Sequence, residues 1–226
     1  MSIADNISSI KKEIGTKGVK LIAVSKTKPL EIIIEAYDSG QRLFGENMVQ
    51  ELTEKYNKLP KDIEWHLIGH LQTNKVKYIA PFISMIHSVD SLKLLQEINK
   101  QALKADRIID CLLQLEIADE DTKYGMEMAE AVELLRSDEF KALKNIRICG
   151  VMGIATLTNN RKKTQEEFYE LNTFFRGLKA AFFRNDPAFT EISMGMSGDY
   201  ELAIEEGSTM IRLGSTIFGE RNKKTK

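Results

Sequence analysis

Eight times along this chain a short apolar run gives way to a stretch with helical spacing, and that alternation limits the fold more than any other feature. The runs span residues 21–24, 42–46, 63–68, 83–89, 108–117, 146–152, 191–194 and 209–213. Nearly every one leads into a segment whose apolar residues recur at three or four, the longest covering about 163–183. Ahead of the first run, Ile3, Ile7, Ile10 and Ile14 make one stripe of an amphipathic helix over about residues 1–15. Repeated strand-helix units predict an α/β fold, a (β/α)₈ barrel, with a doubly wound open sheet as the alternative. Little chain remains for a helix after the eighth strand, so the N-terminal helix is expected to cover that flank.

Texture is even along all 226 residues, with no linker or low-complexity stretch, which suits one domain over 1–226 ending in a basic tail at 220–226. A net charge of -1 carries no signal for nucleic acid or an acidic membrane surface. Cys111 and Cys149 sit in apolar runs and read as buried thiols of a reducing compartment. No run approaches the roughly 20 apolar residues of a membrane span, and the first residues lack a signal-peptide core, so a cytoplasmic protein is expected.

Barrels of this class build their sites from residues that follow the strands. The first strand ends in Ser25-Lys26-Thr27-Lys28-Pro29. A lysine held there against apolar neighbours is partly desolvated, which lowers its pKa and frees an amine able to attack a carbonyl. An ordinary surface lysine at a strand end is the other reading. After strand seven comes Ser193-Met194-Gly195-Met196-Ser197-Gly198-Asp199, and after strand eight Arg212-Leu213-Gly214-Ser215-Thr216. Both loops can bind a phosphate through backbone N–H groups, with a hydroxyl from Ser197 beside the helix that follows it. Equally, they can be two capped turns, with Ser197 or Asp199 as the cap. A carbonyl-seeking lysine opposite a phosphate cradle is what pyridoxal 5'-phosphate requires. Alternation puts Met210 and Arg212 on one face of strand eight. Facing the mouth, Arg212 can donate to a pyridine nitrogen and hold it unprotonated; otherwise it is an interior arginine paired with a carboxylate. His66, His70 and His87 show no metal spacing and read as satisfied core or supporting residues.

Several ordered stretches together carry a family resemblance: Ala23-Val24-Ser25-Lys26-Thr27-Lys28-Pro29, Phe44-Gly45-Glu46-Asn47, the run from Trp65 to Lys75, His87-Ser88-Val89-Asp90, Gly150-Val151-Met152, Ser193 to Ser197, and Arg212 to Gly219. They run from the first strand to the last. The chain resembles the YggS/PROSC family of pyridoxal phosphate homeostasis proteins. That resemblance implies a TIM barrel of the alanine racemase N-terminal domain type, with the cofactor carried as an imine on Lys26. It further implies Arg212 near the ring nitrogen, Asn47 beside the cofactor, and phosphate contacts from Ser197, Gly214 and Ser215. The chain departs from the family pattern at Met48, Gly153 and Leu213, which leaves the shape of the open side of the pocket unspecified. No catalytic residue and no metal are implied. The expected role is intracellular pyridoxal phosphate homeostasis by a monomer, with apo-enzymes that use the cofactor as partners. The alternative is a racemase-like enzyme on the same lysine, which needs an acid or base on each face of the substrate. The racemases this barrel resembles take one of those groups from a second domain, for which the chain has no segment. A third reading, a lysine aldolase without cofactor, would lack visible colour.

Overall fold

The strand β1 (Lys20–Val24) pairs in parallel with β2 (Leu43–Glu46) on one side and β8 (Met210–Leu213) on the other, which closes the sheet. Between them lie β3 (Glu64–Leu67), β4 (Met85–Val89), β5 (Ile109–Gln114), β6 (Ile146–Met152) and β7 (Glu191–Ser193), in chain order around the barrel. The open-sheet alternative is thereby excluded. This computed structural model describes residues 2–15, 17–119 and 125–220; the basic tail expected at 220–226 lies, after Glu220, outside the described residues.

Helices fill the connections: α1 (Ile3–Ile14) before the barrel, α2 (Leu30–Asp38), α3 (Val49–Lys58), α4 (Val76–Ile79), α5 (Leu92–Lys104) and α6 (Met128–Arg136). They continue with α7 (Asp138–Lys141), α8 (Arg161–Phe182), α9 (Tyr200–Glu205) and α10 (Ser215–Phe218). Two departures from the sequence reading have local causes. The helix expected from Thr73 shrinks to a 3₁₀ turn and the single turn of α4, because Pro81 follows at once. The helix expected from Met126 starts at Met128, since Met126 is drawn into a bridge with Leu115. None of the helices among the described residues is long and apolar enough to cross a membrane.

Period-two alternation divides the apolar side chains between two compartments. Ile22, Met85, Leu112, Cys149, Met152 and Met210 cluster inside the barrel. Ala23, Phe44, Trp65, Ile86, Cys111, Val151 and Ile211 instead pack with the helices in the larger core. Cys111 and Cys149 are buried free thiols, one in each compartment. Ionic pairs mark the N-terminal ends of the strands, with Arg147 on Asp110 at 2.7 and 2.9 Å and Lys20 on Glu191 at 2.7 Å.

The flank after β8 is covered as expected. The helix α1 starts at Ser2, whose Oγ accepts from the Asp5 N–H while the Asp5 carboxylate accepts from the Ser2 N–H. Ile7, Ile10 and Ile14 are buried, and Asn6 Nδ2 donates to Ile217 O at 2.9 Å, tying α1 to α10. Ile7→Ala should therefore cost about 2–5 kcal/mol, read as a lower urea midpoint. An unmoved midpoint would mean that α1 adds nothing to the fold.

Candidate functional site

At the C-terminal ends of the strands lies a cavity of about 340 Å³, and all six residues singled out from the sequence line it: Lys26, Asn47, Ser197, Arg212, Gly214 and Ser215. Val24, Ile68, Ile154 and Met196 supply apolar wall. The parallel pairing of β1 with β8 is what brings the two ends of the chain together here, since Ala23 lies opposite Leu213.

Lys26 occupies a turn that closes when the Lys28 N–H donates to Ser25 O at 3.0 Å. The next residue, Thr27, has φ +67, left-handed backbone that a β-branched residue enters only at a cost of about 1–3 kcal/mol. Its N–H donates to Glu51 Oε1 at 2.6 Å. Lys28 also lines the cavity. Its Nζ donates to Phe218 O at 3.0 Å, at the end of α10.

Arg212 is buried, as alternation within β8 requires. Nη1 donates to Ser193 Oγ at 2.6 Å and Nη2 to Gly153 O at 2.9 Å. Neither partner is a carboxylate, so the ion-paired interior arginine is set aside. Burial draws its pKa down to about 10, against the opposing influence of Asp199, so the group is still a cation at neutral pH. Three of its five N–H groups are uncommitted by these bonds.

Ser193 continues the chain of bonds downward. Its Oγ lies 2.9 Å from His87 Nδ1, and His87 Nε2 lies 2.8 Å from His66 Nδ1. Arg212 only donates, so Ser193 Oγ accepts from it, and His87 links Ser193 to His66 through its two ring nitrogens. Burial, which costs the charged form, pushes His66 down to about 3 and His87 well below its ordinary range. The two histidines therefore lie below the cavity, and neither belongs to its lining. His70 is exposed and reaches Asp90 at 3.3 Å. Among the described residues no cluster could hold a metal ion.

Ser197 works differently from the sequence reading. Its Oγ accepts from the N–H groups of Gly214 and Thr216, both at 3.3 Å, and so sits at the start of α10 instead of capping α9. Asp199 accepts from the Met196 N–H at 2.5 Å. Gly214 needs neither special backbone nor empty space: its φ is -113, and an added Cβ would meet Val24 at ordinary contact distances of 3.5 Å and more. Gly69 does need it, because a Cβ there would come within 2.5 Å of Asn47 O. That close approach helps to seat Asn47, whose Oδ1 is buried and has no hydrogen-bond partner among the described residues.

Sequence reasoning did not single out Ile68, Ile154 or Met196 as cavity wall, and it gave Ser193 no specific role. Inward alternation after β3 could have found Ile68. Ile154 and Met196 lie in loops, where no periodicity assigns direction. The buried histidines leave a signature on stability. An unfolded histidine titrates near 6.5, so between that value and about 3 the unfolded chain binds more protons and stability falls as pH drops. His66→Gln should remove about 2 kcal/mol of the stability lost between about pH 7.5 and pH 5. Identical acid losses in the two proteins would contradict the buried neutral histidine.

Three comparisons bear on this arrangement. Residues 1–222 match the family model described as alanine racemase, N-terminal domain. A pyridoxal phosphate homeostasis protein of Aquifex aeolicus (strain VF5) is 40% identical over 208 residues, 92% of this chain and 89% of that protein. Its namesake in Escherichia coli (strain K12) is 35% identical over 237 residues, 99% of each chain. Among solved structures, PipY of Synechococcus elongatus PCC7942 with PLP bound superposes with a TM-score of 0.88 at 37% identity, covering 96% of this chain and all of PipY. Alanine racemase from Bartonella henselae shares the fold, with a TM-score of 0.70 at 14% identity over 98% of this chain and 60% of that one.

Proposed function

The chain belongs to the alanine racemase N-terminal domain family, and from that premise we propose that it binds pyridoxal 5'-phosphate on Lys26 and serves intracellular homeostasis of that cofactor. One observation carries the reading. A lysine, a buried arginine cation and the Gly214–Ser215 backbone line a single cavity, and at its wall the Gly214 and Thr216 N–H groups converge on Ser197. Each suits a different part of one small molecule.

The donor set fits the group. The Gly214 and Thr216 N–H groups already converge on one oxygen, Ser197 Oγ, and a phosphate oxygen makes the same demand of them. Ser215 lines the cavity beside them. The spare N–H groups of Arg212 suit a ring nitrogen that accepts, and a cation there keeps that nitrogen unprotonated. Asn47 Oδ1 is a buried acceptor in want of a donor. Val24, Ile68 and Met196 offer apolar surface for a ring. When bound, the cofactor supplies an aldehyde that a neutral lysine amine can capture with loss of water.

The same residues argue against turnover. Among the described residues, the cavity lining contains two lysines but no histidine, tyrosine or carboxylate. Lys28 is engaged with Phe218 O, and the nearby histidines are buried and neutral, one layer below. Lys26, once displaced, can serve as a base on one face of a substrate carbon, and the described lining offers no evident donor for the other. Curated relatives carry the name of homeostasis proteins, in line with a binding role. Apo-enzymes that need the cofactor are the partners this role calls for, and the protein acts as a monomer.

Purified protein incubated with pyridoxal phosphate should show a visible absorbance band that borohydride abolishes, and peptide mapping should then find the label on Lys26. Label on Lys28, or a full band in Lys26→Ala, would overturn the assignment. With L-alanine, the loaded protein should produce D-alanine no faster than free cofactor does. Steady racemisation that Lys26→Ala abolishes would make this chain an enzyme.

A further inference from the structure

Beneath the turn that carries Lys26 lies a buried ionic cluster that the functional reading leaves unused. Lys55, on α3, is only 4% exposed. Its Nζ donates to Glu46 Oε1 at 2.7 Å, to Glu51 Oε1 at 2.6 Å and to Ser25 O at 2.8 Å. Glu46 is fully buried at the end of β2, and its Oε1 also accepts from Ser25 Oγ at 2.7 Å. Glu51 holds the far side of the turn through the Thr27 N–H. The residue before Lys26 and the residue after it are thus both gripped by one network that ends on the same ammonium.

A cluster of this kind is a poor device for stability alone. Removing the Glu46 carboxylate and the Lys55 ammonium from water is costly, and apolar side chains of similar volume often serve as well. Glu46 bears that cost visibly: desolvation raises its carboxyl above the ordinary range, and its Oε2 has no partner among the described residues. What the network accomplishes locally is specific. Thr27 adopts φ +67, where glycine or asparagine is the usual occupant of a turn. Only a surrounding that over-determines the backbone keeps a threonine there. Turning Thr27 back to ordinary backbone would redirect Lys26, its immediate neighbour.

We propose that Lys55 and Glu51 are positioning residues: clamped on Ser25 and Thr27, they hold the strained turn that aims Lys26 into the cavity. This rests on the reading of Lys26 as the cofactor lysine, and it concerns the orientation of the amine, not the capture step itself. Glu46 anchors Lys55 from the barrel side. The network is also compatible with a charged Lys55 whose three protons are each assigned to a named acceptor, so nothing in it competes with Lys26 for the aldehyde.

The test uses the full chain and two readouts. In cofactor-free protein, NMR-detected amide exchange at Thr27 should accelerate about tenfold or more in Glu51→Ala, the scale set by loss of one charge-assisted hydrogen bond. In protein given pyridoxal phosphate at subsaturating concentration, the borohydride-trapped fraction on Lys26 should fall about tenfold in Glu51→Ala and in Lys55→Met, by the same argument. Adding Thr27→Gly should bring trapping back to within about twofold of wild type, because glycine takes φ +67 without support. A network that merely stabilises the barrel would lower the melting temperature without that rescue. Trapping and Thr27 exchange that stay near wild type in Glu51→Ala would overturn the proposal, as would a loss that Thr27→Gly fails to restore. Lys55→Met, at the more buried site, is secondary: if it does not fold, Glu51→Ala with and without Thr27→Gly decides. Wild-type protein that traps no cofactor would count against the functional reading instead, and the Thr27 exchange rates would then decide the clamp by themselves.

Discussion

Everything at the candidate site depends on the pairing of the first strand with the last. Leu21 opposite Ile211, Ile22 opposite Arg212 and Ala23 opposite Leu213 fix β1 against β8. That register sets the turn after Val24 beside the turn after Leu213. Lys26 and the Gly214–Ser215 turn then line a common cavity, although nearly the whole chain separates them in sequence. No local propensity could do this; it follows from closing a parallel sheet whose strands each end at the same rim.

Charge placement below that rim follows a second rule. Arg212 carries its cation into the barrel with a hydroxyl and a carbonyl as partners, and the hydroxyl belongs to Ser193, which passes the demand on to two neutral histidines. Each group in this line is hydrogen-bonded to its neighbour, which is the condition for polar groups to survive in a core. The arrangement leaves the guanidinium oriented with N–H groups to spare. At the end of β2, Lys55 with Glu46 and Glu51 is proposed to do for the Lys26 turn what the histidine line does for Arg212. Both devices lie one layer away from the cavity and would act by direction, not by contact.

Much of this was legible in the sequence, and the parts that were not share a cause. Strand and helix order, and the inward face of Met210 and Arg212, come from periodicities that do not depend on distant partners. The stripe of Ile3, Ile7, Ile10 and Ile14 announced α1 in the same way, and its docking on α10 followed from how little chain succeeds β8. Long-range bonds were beyond reach. Ser197 read as a phosphate-facing hydroxyl or a local cap, and its bonds to the start of a helix that begins eighteen residues later had no local signal. His66 and His87 read as strand-end residues, yet their bonding to Ser193 and Arg212 exists only once four strands are in register. The strain at Thr27 had no sequence signal at all, because threonine gives no warning of a left-handed backbone.

The central claim is geometric: one small molecule is held at once by Lys26, Arg212 and the Gly214–Thr216 backbone. A crystal structure of the protein grown with pyridoxal phosphate tests it most directly. The account predicts electron density continuous from Lys26 Nζ to the ring, the ring nitrogen within hydrogen-bond distance of Arg212, and the phosphate on the backbone N–H groups of the Gly214–Thr216 segment with Ser197 beside it. Continuous density at another lysine, or a phosphate held away from the start of α10, would contradict it.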